Sequence, residues 1–260
     1  MIKDNFGDLK KFDFAIVIPS KGRPDKVGNS HALFPLQSCI YVHESEAEEY
    51  EKNNPEALIV THRQTRGYGS VINSIMRNGK KDGLEYVLII DDDFKSMYCL
   101  VGNRQRKMDL GKRYETVCNF AQVMEDGNLF TMLFSTSSSI IKYVQGKPIT
   151  VGFNLAQGAY MINVQKINIF FEEGYHNYED CDFFMQNLLK NRFTLTDQRF
   201  LINGPANDAL TSGGCNSFRT SENEKKSREW LKNKWKSHIK FAKNASGNIK
   251  PTSTVQRSFS

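Results

Sequence analysis

Three adjacent carboxylates, Asp91, Asp92 and Asp93, follow directly on an apolar run in YVLIIDDDFKSM, residues 86–97. Like charges at neighbouring positions repel, and each is costly to bury without a compensating cation. A short, wholly apolar run rich in β-branched residues predicts a strand buried on both faces. At the carboxyl end of such a strand the acids suit a hard divalent ion, magnesium or manganese. Such an ion takes a few carboxylate oxygens and fills its other positions with substrate phosphates. The competing reading is a solvated acidic turn.

A second acidic group, Glu179, Asp180 and Asp182, stands in YEDCDFF, residues 178–184. Glu179 and Asp180 fall in the first turn of an expected helix, where the dipole favours negative charge. That is a structural use. The chemical use is a general base across the cleft from the metal. Glu179, Asp182 and Met185 lie at three-residue steps and can share a face with the core. Asp180 points differently and is the better candidate for substrate.

The elements that must position these acids read as alternating strands and helices. Apolar runs at 14–19, 39–44, 57–62 and 86–90 predict strands. Between them lie a polar loop at 20–24, a short helix over 45–53 with a Ser45–Glu48 capping box, and a helix over 70–79 ending at Gly79. This order implies an α/β fold with a mostly parallel, doubly wound sheet. Further on, the pattern predicts a basic loop at 102–113, a helix at 114–125 and strands at 130–139, 153–163 and 193–204. A helix is expected at 176–191, a glycine loop at 212–219 and a polar tail at 244–260. In the strand at 153–163, Gly158 is a position where the backbone could be approached closely. The basic stretch 222–243 reads as one helix, with Leu231, Trp235, Ile239 and Ala242 as its apolar stripe.

Parallel strands would bring Ser20, Glu44, Arg66 and Asp91 to one edge, where open α/β sheets bind ligands. Arg23, Arg66 and the backbone N–H groups of Gly67 to Ser70 suit a phosphate there. GYG at 67–69 is no dinucleotide fingerprint, because Ile72 stands where the third glycine belongs, and no GxxxxGK[ST] run occurs. Nicotinamide enzymes and P-loop NTPases are therefore disfavoured.

The 260 residues are 39% hydrophobic and 25% charged, enough for a packed core. No apolar run approaches membrane-spanning length, so no membrane partner is expected. The N-terminal residues lack the apolar middle of a signal peptide. Five cysteines, odd in number and without CxxC spacing, point to reduced thiols in a cytoplasm. The net charge is +6, but residues 219–260 hold 11 Lys/Arg against 3 Asp/Glu, a net of +8. A polyanion partner explains that excess, as does a solvated lysine-rich helix. Lys225, Arg228, Lys232 and Lys236 step by three and four residues and would share one face toward a nucleic acid.

Together, IPSKGRP (18–24), VHESE (42–46), RGYGSVIN (66–73), YVLIIDDDF (86–94) and YEDCDFF (178–184) resemble the GT-A fold of nucleotide-sugar glycosyltransferases. They are most similar to the TET-associated glycosyltransferases, many of them from phages and thought to decorate hydroxymethylated pyrimidines in DNA. The resemblance covers roughly residues 14–219 and implies a GT-A-like catalytic domain over 1–218. A basic C-terminal helix and tail over 219–260 would dock on it. It further implies that Asp91 and Asp93 serve the metal and the nucleotide, and that Pro19, Ser20, Arg23 and Glu44 line the nucleotide pocket. Arg66, Gly67, Gly69, Asn73 and Asp92 are assigned to the donor side as well. Asp180 is implied as the base, with Glu179 and Asp182 as its companions. The expected partners are a nucleotide sugar, a UDP-sugar by preference, and modified double-stranded DNA. Ile72 departs from the arginine frequent in the family, and no C-terminal histidine is placed as a metal ligand. The alternatives are a nucleotidyltransferase and a non-catalytic nucleic-acid-binding protein.

Overall fold

Alternation along single strands decides the layers. In the strand Phe14–Pro19, Phe14, Ile16 and Ile18 join one apolar cluster while Ala15 and Val17 join another. Every residue of this strand is buried, so the sheet carries helices on both faces. The computed structural model describes residues 2–3, 14–101, 104–135, 148–152, 158–175, 177–192, 194–203, 220–243 and 249–254.

Among the described residues, eleven strands form one sheet. Strands β1 (Ile2–Lys3), β2 (Phe14–Pro19), β3 (Ser38–His43), β4 (Leu58–His62) and β5 (Tyr86–Ile90) run parallel in the order β1-β4-β3-β2-β5. Beyond β5 the sheet is mixed. β6 (Ser96–Val101), β7 (Arg104–Lys107), β8 (Thr131–Ser135), β9 (Ile149–Gly152), β10 (Ala159–Asn163) and β11 (Thr194–Asn203) complete it. β10 lies antiparallel between β5 and β8, and β11 joins β8 to the β6–β7 hairpin.

The helices are α1 (Gly28–His31), α2 (Ala47–Asn53), α3 (Tyr68–Lys81), α4 (Leu110–Asp126), α5 (Glu179–Asn191) and α6 (Ser221–Trp235). Tyr50 of α2 and Val117, Phe120 and Met124 of α4 pack on one face of the sheet. Ile72, Ile75 and Met76 of α3 and Phe183 and Phe184 of α5 pack on the other. The doubly wound α/β architecture is thus as expected, with a mixed rather than parallel far half. No helix among the described residues is long and apolar enough to cross a membrane.

Several boundaries differ from the sequence reading, for local reasons. β3 ends at His43, and Glu44 opens a 3₁₀ turn whose Ser45 N–H donates to His43 Nδ1 at 3.3 Å. That bond stands where the Ser45–Glu48 capping box was expected. Gly79 lies inside α3, because a Cβ there would stand 3.0 Å from Val87 Cγ2 on β5. The expected loop at 102–113 is largely the β7 strand and the start of α4, whose first turn is capped by Asp109 accepting from Lys112 N–H at 2.9 Å. The serine-rich stretch 136–139, the first half of the strand at 153–163 and the glycine loop 212–219 fall outside the described residues.

The largest correction is at the C-terminus. α6 stops at Trp235, because Lys236 takes φ 48° and breaks the helix. Ile239 and Ala242 belong instead to β12 (Ile239–Lys243), paired antiparallel with β13 (Ile249–Ser253), which lies within the expected polar tail. Leu231 and Ile239, with Trp230, Trp235 and Phe241 beside them, pack on Cys181, Met185 and Leu188 of α5. The tie is polar as well as apolar. Asp182, fully buried, accepts from Trp235 Nε1–H at 2.8 Å, Lys234 Nζ at 2.9 Å and Gln186 Nε2 at 2.7 Å. Burial opposes the charge of Lys234, but Asp182 and Glu172 outweigh it and raise the ammonium above its ordinary value. Trp235→Phe keeps the ring and removes one donor from a buried carboxylate. It should lower the free energy of unfolding by about 1–3 kcal/mol, read from urea denaturation. Unchanged stability would show that the indole N–H is dispensable to the docking of α6.

Candidate active site at the carboxyl edge of the sheet

The three adjacent aspartates part company in the fold. Asp92 is buried; its Oδ1 accepts from Arg23 Nη1 at 2.7 Å and its Oδ2 from Ser20 Oγ at 2.6 Å. Ser20 Oγ also meets the Tyr50 hydroxyl at 2.7 Å, and that hydroxyl accepts from Arg23 N–H at 2.9 Å. Burial first, with Glu46 and Asp92 nearby, pushes the Tyr50 phenol up to about 12, so it stays a neutral partner. Ser20 and Arg23, expected to line the donor pocket, therefore hold Asp92 between β2, α2 and β5. Asp92 is thus a buried anchor, each of its oxygens accepting from a charged or hydroxyl donor.

The flanking acids are more open. Asp91 is half-buried; its N–H donates to Gly158 O at 2.8 Å. A Cβ on Gly158 would fall 2.0 Å from Asp91 Oδ2, and Gly158 takes φ +82°. The glycine is thus required twice, by the backbone and by the carboxylate lying over it. Asp93 is half-buried, and burial followed by the charge of Asp92 holds its carboxyl above the usual carboxylate range. Arg23 Nη1, 4.0 Å away, offsets this only in part.

On the phosphate side, Gly67 takes φ 87° ahead of α3, and Ser70 N–H turns back to Gly67 O at 3.2 Å. That N–H is consequently engaged inside the first turn. Gly69 is required by close approach, since a Cβ would lie 2.8 Å from Glu172 O. Asn73 departs from its assigned role. It is buried, donates to Phe171 O at 2.9 Å and Glu173 Oε1 at 3.1 Å, and accepts Phe171 N–H at 2.9 Å. Its amide fastens the 171–173 segment to α3. Arg66 is exposed, with Nη1 3.7 Å from Glu173 Oε2. Glu44 is half-exposed beside Arg63, at 2.6 Å. Pro19 is buried at the end of β2.

The second acidic group approaches from α5. Tyr178, held at φ 66° just before the helix, donates its hydroxyl to Glu224 of α6 at 3.1 Å. Glu179 is buried and Asp180 half-buried, with Asp180 Oδ1 accepting Cys181 N–H at 2.7 Å. Asp182 is removed from the candidate catalytic set by its burial against α6 described above. Burial and the neighbouring carboxylates hold the Cys181 thiol protonated, so this cysteine is no nucleophile.

Tyr160 on β10 links the two acidic groups and was missed in the sequence, where it is one more apolar-run residue. Burial raises its phenol well above the ordinary value, and the charges of Asp91, Asp180 and Glu179 act on it in the same direction. Asp91 and Asp180, 89 positions apart, thus both act electrostatically on one phenol. His62 was missed too. It stacks on Tyr41, centroids 4.9 Å apart, and burial, then His43 and Lys21, lower it to about 4. It is a neutral wall of the edge at pH 7.

Of the basic residues assigned to DNA, Lys225, Arg228 and Lys232 keep their helical spacing on α6 and Lys236 does not. Lys236 stands past the end of α6. Arg228 pairs with Glu224 and lies over the Phe241 ring, as Lys232 does at 5.5 Å. Lys225 is exposed.

This architecture recurs among solved structures. A mycobacterial protein superposes with a TM-score of 0.55 at 9% identity, over 96% of this chain and 87% of that one. TarS of S. aureus gives 0.47 at 14% identity, over 75% of this chain and 37% of that one. Mannose-1-phosphate geranyltransferase of Thermus thermophilus gives 0.35 at 8% identity, over 75% and 58%. No curated protein sequence matches the chain. The likeness to the mycobacterial protein shows the fold, an α/β chain built on one mixed sheet. A family model of the TET-associated glycosyltransferases matches residues 14–207, and the chain belongs to that family. It is a glycosyltransferase.

Gly158 gives a direct test of this geometry. Gly158→Ala should destabilise the protein by about 1–3 kcal/mol through its left-handed φ and the carboxylate clash. In an Asp91→Ala background the same change should cost less, because the clashing oxygen is gone. Equal costs in a urea double-mutant cycle would place the Asp91 carboxylate elsewhere.

Proposed function

We propose that the protein moves a sugar from a nucleotide-sugar donor, a UDP-sugar by expectation, to a hydroxymethylated pyrimidine in double-stranded DNA, with manganese or magnesium bound. The family match over residues 14–207 supports this reading, and the observation that carries it is the acidic turn at the end of β5, where Asp91 and Asp93 flank the buried Asp92.

Asp91 and Asp93 are the residues that would hold the divalent ion. Asp93 fits, because a carboxyl strained by burial and by Asp92 gains from a cation. Among the described residues no group of three ligands is preassembled. Two carboxylates would leave further positions for diphosphate and water oxygens, as magnesium prefers. When bound, the ion supplies positive charge to the departing diphosphate. Arg66 and the first turn of α3 would orient that diphosphate. Arg23, Ser20 and Tyr50 keep Asp92 out of the pocket and so set the direction of its neighbours.

With inversion, Asp180 takes the proton of the acceptor hydroxyl as that oxygen bonds to the anomeric carbon. The bond from that carbon to the diphosphate breaks in the same step. With retention, Asp180 has a different role. Mass spectrometry of hydroxymethylated DNA incubated with a panel of nucleotide sugars tests the whole reading. Release of pyrophosphate in place of a nucleoside diphosphate would replace it by nucleotidyl transfer.

Asp93→Asn should abolish transfer and weaken manganese-dependent donor binding, leaving the unfolding midpoint near that of the wild type. Near wild-type turnover would remove Asp93 from the metal site. Asp180→Asn should bind donor normally and lose about 10²–10⁴-fold in turnover. Loss of donor affinity with turnover intact at saturation would move Asp180 to the donor side.

A further inference from the structure

Residues 94–108, FKSMYCLVGNRQRKM, carry four cations and no acid. They start directly after Asp93, running out as β6 and back as β7. β7 is the last strand of the sheet, paired only with β6. Arg104, Arg106 and Lys107 are exposed, and among the described residues none of them forms an ion pair. Arg104 and Arg106 stand opposite Val101 and Cys99, while Lys107 stands opposite Tyr98. Two cations therefore project to one face and one to the other, so that positive charge rims the edge.

The cations of α6 contrast with these. Arg228 is paired with Glu224, Lys234 with Asp182 and Glu172, and Lys232 lies over Phe241. Glu222, Glu224 and Glu229 dilute the helix further. Much of its charge serves internal packing rather than an outside partner.

We propose that the β6–β7 edge, not α6, is the main contact surface for the phosphate backbone of the nucleic-acid acceptor. The inference rests on the DNA reading above and adds where the acceptor lies. Spacing supports a regular polyanion: same-face residues on a strand repeat at about 6.6–6.8 Å, close to two axial steps of about 3.4 Å along one strand of a duplex. Position supports it too. Tyr98, the partner of Lys107, lies five residues beyond Asp93, at most about 18 Å of extended chain. A backbone held along β7 thus passes close to the acidic turn, and phosphate contacts set register without reading sequence.

Charge on an edge strand also discourages pairing with other chains. Either sign of charge serves that purpose, whereas only positive charge binds a polyanion, and this separates the two uses. Three variants are compared by fluorescence anisotropy with a labelled hydroxymethylated duplex over a series of salt concentrations. They are R104Q/R106Q/K107Q, R104E/R106E/K107E and the helix variant K225Q/R228Q/K232Q/K236Q. Near-UV circular dichroism and sedimentation confirm that each remains folded and unaggregated. The glutamine variant should flatten the log–log salt slope by about 0.9 for each phosphate it no longer neutralises. The glutamate variant should abolish binding while guarding the edge as well as the wild type does. The helix variant should change the slope less than either.

Wild-type affinity and slope in a folded glutamate variant would overturn the proposal and leave the cations as an edge guard only. A helix variant that loses more slope than the glutamine variant would overturn it as well, placing the DNA on α6. A wild-type protein that binds no duplex would overturn it together with the DNA reading. Release of nucleoside diphosphate from a nucleotide sugar would still test glycosyl transfer separately.

Discussion

The buried pair of Arg23 and Asp92 is the interaction on which the rest of the site depends. A carboxylate in the core is tolerated only when its oxygens are answered, and here Arg23 and Ser20 answer both. Removing Arg23 would leave Asp92 buried without its cation, a loss of about 3–5 kcal/mol. Because the pair joins the loop after β2 to the end of β5, and Tyr50 ties α2 to that loop, it sets the turn that follows β5. Asp91 and Asp93 flank this pair and are more open than Asp92. One goes over Gly158 and the other toward the half-exposed edge.

A second constraint acts on α5. α5 carries Asp180 at its start, and its Cys181, Met185 and Leu188 are covered by α6 and β12. Asp182 takes its donors from Trp235, Lys234 and Gln186, so a polar tie fixes a register that apolar packing alone would leave loose. Tyr178 adds a bond from the turn before α5 to Glu224. The C-terminal unit thereby braces the helix that presents the candidate base, though it lies outside the matched residues 14–207.

Electrostatically the edge is divided. Acids gather around Tyr160, and the segment 171–174 brings Glu173 to Arg66 and Arg77 at 3.7 Å from each. Beyond Asp93 the sign reverses along the hairpin. A nucleotide sugar brings negative phosphates and needs cations or a metal beside the acids.

By itself the sequence determined the strands at 14–19, 57–62 and 86–90, the sided helix that became α3, and the placing of an acidic cluster at a strand end. These follow from apolar runs and periodicity, which are local. It also placed Gly158 as a point of close approach and Asp180 as the outward acid of its group. Tertiary structure alone decided which aspartate of the triplet is buried, since Arg23 lies 69 positions from Asp92. It decided that Asn73 bonds to Phe171, 98 positions away, and that Asp182 serves Trp235, 53 positions away. The end of α6 belongs with these: Ile239 and Phe241 alternate as a strand because α5 offers an apolar face to them. Residue type states what a side chain is able to bond, but for a buried polar group the choice of partner is made by contacts that form only when distant segments meet.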